Sequence, residues 1–221
     1  MADSKYAEDE FLDLYRKCLE RDIEKLDRNL SESKYTEYSK VIITLESLGV
    51  DTISEYPDFF DRLHEFDKVN SQGMNGSIWS LIALCCSDKV YDNNKDLAQK
   101  YGNYIIENRL EDGGYNVTGD KSDVDVSAMA VIALSNYEYR IENSIDDDLK
   151  NDDLGINENL DKIKETINNV TKFILSKQND EGFFESMDTV NSESLSYAVI
   201  AMGEAGVKDF DYNRAIQNIF E

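Results

Sequence analysis

The sequence predicts an all-α protein built as a row of helical hairpins, an α/α toroid-like array. Three observations predict this class. Pro57 is the only proline in 221 residues, so few helices are interrupted. Apolar residues recur at helical spacing rather than in strict alternation. Short helices that are apolar nearly all round take turns with longer helices that are charged on one side. We expect one domain over residues 1–221.

The apolar helices are expected to form an inner layer, because a helix that is hydrophobic on every face must be buried on every face. The amphipathic helices are expected to surround them, with their charged faces in water. The predicted inner helices are 39–48, 78–86, 127–135 and 195–205, and the predicted outer helices are 8–30, 95–109, 157–177 and 212–220. Residues 143–159, rich in Asp and Asn, predict a solvated loop. A calcium site there is an alternative, although the spacing of an EF-hand is missing.

Charge and hydropathy exclude several classes of partner. Lys and Arg total 23 against 46 for Asp and Glu, which gives a formal net charge of −23. This balance argues against nucleic acid and against an anionic membrane surface as partners. No apolar run approaches the roughly 18 residues that a membrane span needs. Polar residues follow Met1, so no signal peptide is expected in this chain.

Cysteine and histidine are too sparse for most metal and hydrolase sites. The chain has Cys18, Cys85, Cys86 and a single histidine, His64. The adjacent cysteines lie in an apolar run and indicate core packing, and His64 lies in a charged helical stretch typical of a surface. Neither a zinc spacing nor a second histidine is present. We therefore expect no metal and no cofactor, and no Ser-His-Asp or Cys-His chemistry.

An internal repeat relates the turns that follow two outer helices. Residues 104–105 and 113–115 match residues 173–174 and 182–184 at one offset, 182 − 113 = 69. In each copy an outer helix ends in a charged turn with glycine, and an aromatic residue follows. Glycine suits the left-handed position beyond a helix end. Ala-Leu or similar pairs at 44–45, 83–84, 133–134 and 201–202 then align the inner helices.

This alignment defines a candidate site. It places Asn75, Asp125 and Glu193 at one equivalent position in the first turn of their helices, and Glu37 joins them if one residue of slippage is allowed. In a toroid, equivalent positions form a ring around one mouth of the barrel.

The buried helices carry few aromatic residues, namely Tyr38, Trp79 and Tyr197. We expect Trp79 and Tyr197 to bind ligand together with Glu37, Asn75, Asp125 and Glu193.

The second copy of the repeat resembles a known motif. Phe173, Ile174, Gln178, Gly182 and Phe184 have the spacing of the QW-type repeat of the terpene cyclase and protein prenyltransferase superfamily, with Phe in place of Trp. The first copy has arginine at position 109, where glutamine is expected.

Four further stretches resemble, in order, the prenyltransferase/squalene-oxidase-repeat domain of secreted and cell-surface proteins from Gram-positive gut bacteria. They are 35–39, 73–76 with Trp79, 122–130 and 191–194. The resemblance implies an α/α toroid, which has about six hairpins when complete. Only four buried helices are counted here, so we expect a partial toroid from a larger extracellular or surface protein. The charged first helix could cap one open end, and homodimerisation could cover the other.

Residues 123–126 allow three interpretations. They resemble the DxDD motif of class II terpene cyclases, which implies Asp125 as general acid with Asp123 as its partner, although Val126 replaces the last Asp. Alternatively, Ser122 and Asp125 form a capping box that also complements the helix dipole. The third interpretation is a binding cavity without chemistry, as in the cobalamin carriers of this superfamily. The zinc ligands of protein prenyltransferases have no counterpart.

The function that these observations favour is a non-catalytic module of a secreted or cell-surface bacterial protein. It would bind a small molecule, a lipid or a protein. The alternative is an isoprenoid-processing enzyme that uses Asp125 as general acid.

Overall fold

The computed structural model describes residues 9–144, 154–186, 189–190 and 192–220. In these residues the chain forms helices and one small antiparallel hairpin, so the predicted all-α class is confirmed. The hairpin pairs β1 (Glu185–Ser186) with β2 (Thr189–Val190). The helices are α1 (Asp9–Lys25), α2 (Thr36–Ser47), α3 (Thr52–Glu55), α4 (Pro57–His64), α5 (Phe66–Asn70), α6 (Met74–Leu84), α7 (Asp88–Asn93), α8 (Lys95–Glu107), α9 (Val124–Ser144), α10 (Leu154–Leu175), α11 (Ser192–Glu204) and α12 (Tyr212–Phe220).

The helices pack in two layers. In the inner layer α2 packs on α6, α6 on α9, and α9 on α11. In the outer layer α4, α8, α10 and α12 each pack on the inner helix of their own hairpin. From α6 to α12 the alternation of inner and outer helices follows the prediction, and each of the four predicted inner segments overlaps one inner helix.

The inner helices are buried because their packed faces carry small and apolar residues. In α9, Ala128, Ala130 and Ala133 are fully buried and let the neighbouring helices approach closely. Gly76 of α6 does the same, since a Cβ at that position would lie 2.1 Å from the carbonyl oxygen of Val69. One cluster of buried side chains connects these helices from Ile23 to Ala215.

The repeated turn has the same backbone hydrogen bonds in both copies. The amide of Leu110 donates to the carbonyl of Gly114 at 2.9 Å, and the amide of Asn179 donates to the carbonyl of Phe183 at 2.9 Å. Both pairs obey the offset of 69 found in the sequence. Gly113 and Gly182 have φ of 101° and 89°, a region that favours glycine. The aromatic residues that follow, at positions 115 and 184, are fully buried. The predicted repeat is thus confirmed in the backbone.

The largest differences from the prediction lie in α9 and in the first hairpin. Helix α9 continues to Ser144, well past the predicted end at 135, because Tyr137 and Ile141 extend its buried face. The first hairpin has the short helices α3, α4 and α5 where no outer helix was predicted. Pro57 occupies the first position of α4, which separates it from α3. Residues 145–153, the middle of the predicted Asp/Asn-rich loop, lie outside the described residues.

Replacing Gly113 with alanine tests the repeated turn. We expect Gly113→Ala to lower the free energy of unfolding by about 1–2 kcal/mol, because a Cβ is strained at that φ. The added Cβ would meet its nearest atom, in Phe173, only at 3.7 Å, so backbone strain dominates. Chemical denaturation followed by circular dichroism measures the change.

Gly203→Ala is the matched control. Gly203 lies in α11, is exposed, and has no neighbour within 4 Å of an added Cβ. Its replacement should leave stability unchanged or raise it by up to about 0.5 kcal/mol through helix propensity. Equal losses in the two variants would contradict the role given to the turn.

Candidate functional site

Each inner helix leaves one stripe of residues partly exposed. The stripes have identical spacing, at positions i, i+4, i+7 and i+11, which lie on one side of a helix. Every member except the buried Met129 is partly or fully exposed. We call these sixteen residues the inner face: Thr36, Lys40, Ile43 and Ser47 of α2; Asn75, Trp79, Ile82 and Cys86 at α6; Asp125, Met129, Ile132 and Asn136 of α9; Glu193, Tyr197, Ile200 and Glu204 of α11.

A cavity joins the four stripes at one end. It has a volume of about 560 Å³, and the last residue of every stripe contributes to its lining. Helices pack about 8–10 Å apart, so a straight row of four would hold the first and last about 24–30 Å from each other. Since residues of both α2 and α11 line this cavity, the row curves and the inner face is concave.

The first rim cluster lies on α2 and α6. The ammonium of Lys40 sits 5.3 Å from the centre of the Trp79 ring, and its Nζ is 3.8 Å from a carboxylate oxygen of Glu37. The strict register of the stripes puts Thr36, rather than Glu37, at the position equivalent to Asn75. Thr36 is engaged by Gln72, whose Oε1 accepts from the Thr36 amide at 3.1 Å. Glu37 lies one residue out of register and contacts the inner face through Lys40.

The second rim cluster lies on α9 and α11. Burial raises the pKa of Tyr197, and the charges of Glu193 and Asp125 raise it further. The two carboxylates are thus close enough to act on one phenol. Tyr197 is half-buried and packs against the core, so its ring forms part of the floor of the inner face.

Asn75 lies on α6 between the two clusters. It is half-buried, and its Oδ1 is buried with no hydrogen-bond partner among the described residues. The six residues predicted to bind ligand are therefore distributed as two close clusters with Asn75 between them. Tyr38, the third aromatic of the inner helices, belongs to the core: it is 1% exposed and its hydroxyl donates to Asn29.

The capping box predicted for Ser122 and Asp125 is wrong. The cap of α9 is Asp123, whose Oδ1 accepts from the amides of Asp125 at 2.9 Å and Val126 at 3.3 Å. Ser122 is turned away: its amide donates to Asp112 at 2.9 Å, and its hydroxyl also bonds that carboxylate. The helix begins one residue later than a Ser122 cap requires, because the main chain of Asp123 pairs with Tyr115. One of the two predicted catalytic aspartates therefore has a structural task.

The cavity contains residues that the sequence analysis missed. They are Ser135, Asn136, Tyr139 and Arg140, all on α9 at or beyond the end predicted for that helix. The extension was detectable, since Leu134, Tyr137 and Ile141 continue the helical spacing. Extending the predicted site by three helical turns, from each first-turn residue to the residue eleven positions later, would have located the cavity end of the inner face.

Cys85 and Cys86 behave as the apolar run indicated. Cys85 is 3% exposed, and burial raises the pKa of its thiol. Cys86 borders the cavity, where burial raises the pKa of its thiol to about 12 and the charge of Glu46 adds to this effect. Both thiols are therefore poor nucleophiles. His64 is exposed, as predicted.

The part of the chain that the structure describes has neither a cluster of metal ligands nor a membrane-spanning helix. No three His, Cys, Asp or Glu side chains in this part of the chain come together as a metal site would require. None of the helices in the described ranges combines the length and hydropathy of a membrane span.

Comparison with protein-family models, with curated proteins and with solved structures found no match.

Substitutions of Asp123 separate helix capping from a contribution of its negative charge. Asp123→Ala should lower the free energy of unfolding by about 1 kcal/mol, because the first amides of α9 lose their acceptor. Asp123→Asn should stay within about 0.5 kcal/mol of the wild type, since asparagine caps as well as aspartate. Denaturation curves of the two variants check this. A loss in the asparagine variant as large as in the alanine variant would show that charge, not capping, is the contribution of Asp123.

Proposed function

We propose that this chain is a non-catalytic binding module that holds its ligand on the inner face. The proposal includes the wider identity implied by the sequence resemblance: an α/α toroid of the prenyltransferase/squalene-oxidase-repeat type, in a secreted or cell-surface bacterial protein. The ligand is a small molecule, a lipid or a segment of a protein that covers the apolar middle of the face.

One observation carries the proposal: in α6 every residue outside the inner face is buried, whereas the inner-face residues of that helix stay partly exposed. Large apolar side chains remain accessible there, including Ile200, which is 49% exposed, and the half-buried Trp79 and Tyr197. Accessible apolar surface in a concavity is typical of a binding site. The cavity volume of about 560 Å³ is also within the range of small-molecule sites, roughly 300–1,000 Å³.

Acid catalysis is the less favoured function. Asp123, the partner of the proposed acid, is occupied by two amides of α9. Val126, which replaces the last Asp of the cyclase motif, is 5% exposed and belongs to the core. The observation in favour of catalysis is that the charge of Asp125 raises the pKa of Tyr197, since an aromatic ring in the field of an acid can stabilise a cationic intermediate. We retain an isoprenoid-processing enzyme with Asp125 as general acid as the second candidate.

The ends of the helical array support the proposed homodimer. At the α1 end, Phe11, Leu14 and Tyr15 are each between 49% and 63% exposed. At the α12 end, Ile216 is 45% exposed. Pairing two copies would remove this apolar surface from water.

Trp79 is the only tryptophan of the chain, so it reports directly on the inner face. We expect the uncharged apolar dye N-phenyl-1-naphthylamine to bind and to be excited by energy transfer from Trp79. Trp79→Ala should weaken dye binding, measured by direct excitation, by about tenfold, or about 1.4 kcal/mol, because a large aromatic contact is lost.

Tyr15→Ala is the control for this measurement, because it removes an exposed aromatic of α1 that is not among the inner-face residues. Its affinity for the dye should equal that of the wild type. Dye binding without energy transfer from Trp79, and with equal losses in both variants, would place the apolar site elsewhere and contradict the proposal.

Turnover tests the second candidate. We expect no product, within detection by mass spectrometry, when the wild type is incubated with squalene or geranylgeranyl diphosphate. Cyclisation or hydration by the wild type that disappears in Asp125→Asn, with an unchanged denaturation curve, would establish the enzyme and overturn the non-catalytic proposal.

A further inference from the structure

The two ends of the inner face have opposite electrostatic character. The stripes run in the same direction, from the first turns of the four inner helices to the cavity, so these helices are parallel. Helices α2, α6 and α11 end at Ser47, Leu84 and Glu204, and residues at each of these ends line the cavity. Each helix C-terminus carries the equivalent of about half a negative charge. Three such ends therefore make the cavity negative before any side chain is counted.

The side chains of the cavity do not reverse this sign. Arg140 is its one cation among the lining residues, against the carboxylates of Asp88 and Glu204. The Arg140 Nε donates to the carbonyl of Cys85 at 2.8 Å, and its guanidinium pairs with Asp88. The charge of Arg140 is thus neutralised by the carbonyl end of α6 and by the carboxylate of Asp88. The negative charge of Glu204, and the partial negative charge at the C-terminal ends of α2 and α11, have no cation to balance them among the lining residues.

The opposite rim is negative in its residues but is compensated by its helices. Glu37, Asp125 and Glu193 lie in the first turns of α2, α9 and α11. The N-terminus of a helix carries partial positive charge, which balances a carboxylate placed there. A cation approaching the inner face is therefore drawn more strongly to the cavity end than the count of acidic residues suggests.

The cavity also supplies a hydrogen-bond acceptor and apolar walls. Ser135 is 7% exposed, and its Oγ is buried with no hydrogen-bond partner among the described residues. Ile43 and Ile82 form apolar walls, and Tyr139, which is 59% exposed, stands at the opening. A hydroxyl accepts from an ammonium and aliphatic walls bury methylene groups, while the Tyr139 ring already carries the Arg140 guanidinium 5.6 Å from its centre.

We infer that this cavity binds a primary alkylammonium group, with its charge between Glu204 and Ser135 and its methylene chain against Ile43 and Ile82. The inference rests on the proposed function, because the cavity is one end of the inner face. The same group occurs in a free amine and in a lysine side chain of a partner protein.

Calorimetry with small probes tests the inference. Cadaverine should bind the full chain, and glutarate, a dicarboxylate of the same chain length, should not. A tripeptide with blocked termini and a central lysine serves as the second source of the ammonium group. Binding by either cation supports the site, and the tighter of the two identifies the source. Binding of glutarate as tight as that of cadaverine, or of neither cation at millimolar concentration, would overturn the inference.

Glu204→Gln and Glu193→Gln form a matched pair for locating the site. Both carboxylates are exposed on α11, and they lie at its opposite ends. Glu204→Gln should weaken cadaverine binding about threefold to fivefold, as expected for one partly exposed ion pair. Glu193→Gln should leave it unchanged, since it alters the net charge equally but at the far rim. Equal weakening in both variants would show a general charge effect and overturn the site.

Ser135→Ala provides a variant that changes no charge. It should weaken cadaverine binding by roughly threefold, because a buried acceptor is lost. Dye binding to the wild type is the separate readout for the proposed function. If the wild type binds the dye but no amine, only this inference is overturned. If the wild type does not bind the dye, the proposed function itself is contradicted.

Discussion

The structure depends on burying three sides of the two central inner helices, α6 and α9. Helices α6 and α9 each have an inner neighbour on two sides and an outer helix behind them. The residues on those sides are small or apolar, so the backbones approach closely and water is excluded. One side of each helix is left over, and because the helices share one register, these sides line up as a continuous face. The inner face is thus a geometric consequence of the packing.

The repeated turn sets that register. In the first copy, the amide of Asp123 donates to the carbonyl of Tyr115 at 2.7 Å, and Ser127 Oγ accepts from the amide of Tyr115 at 2.9 Å. These bonds attach the turn after an outer helix to the first turn of the next inner helix. Gly114 lies at this junction, where a Cβ would come within 2.5 Å of Ser127 Oγ. The first turn of α9, and Asp125 with it, is therefore placed by the turn that follows α8.

Parallel inner helices give the two ends of the face different chemistry. At the rim, carboxylates meet helix N-termini, which stabilises both. At the cavity, helix C-termini meet Arg140, which bonds the carbonyl end of α6. The same rule of electrostatic complementarity explains why acidic residues recur at the first turns and why a cation belongs at the opposite end. Glu37, Asp125 and Glu193 resemble one acidic site, but each carboxylate also stabilises the N-terminus of its own helix.

The sequence by itself determined the helical class, the alternation of inner and outer helices, and the repeated turn. These features are local, because each can be recognised within about twenty residues. The signals are the hydrophobic period, the small-residue composition and a glycine beyond a helix end. It also placed Asn75, Asp125 and Glu193 in one register. Only the structure decided that Asp123 rather than Ser122 caps α9, because the cap depends on an isolated main-chain pairing with Tyr115 that no periodicity of the sequence signals. It alone brought Ser47, Arg140 and Glu204 around one cavity, because the curvature of the row arises from contacts between helices distant in sequence.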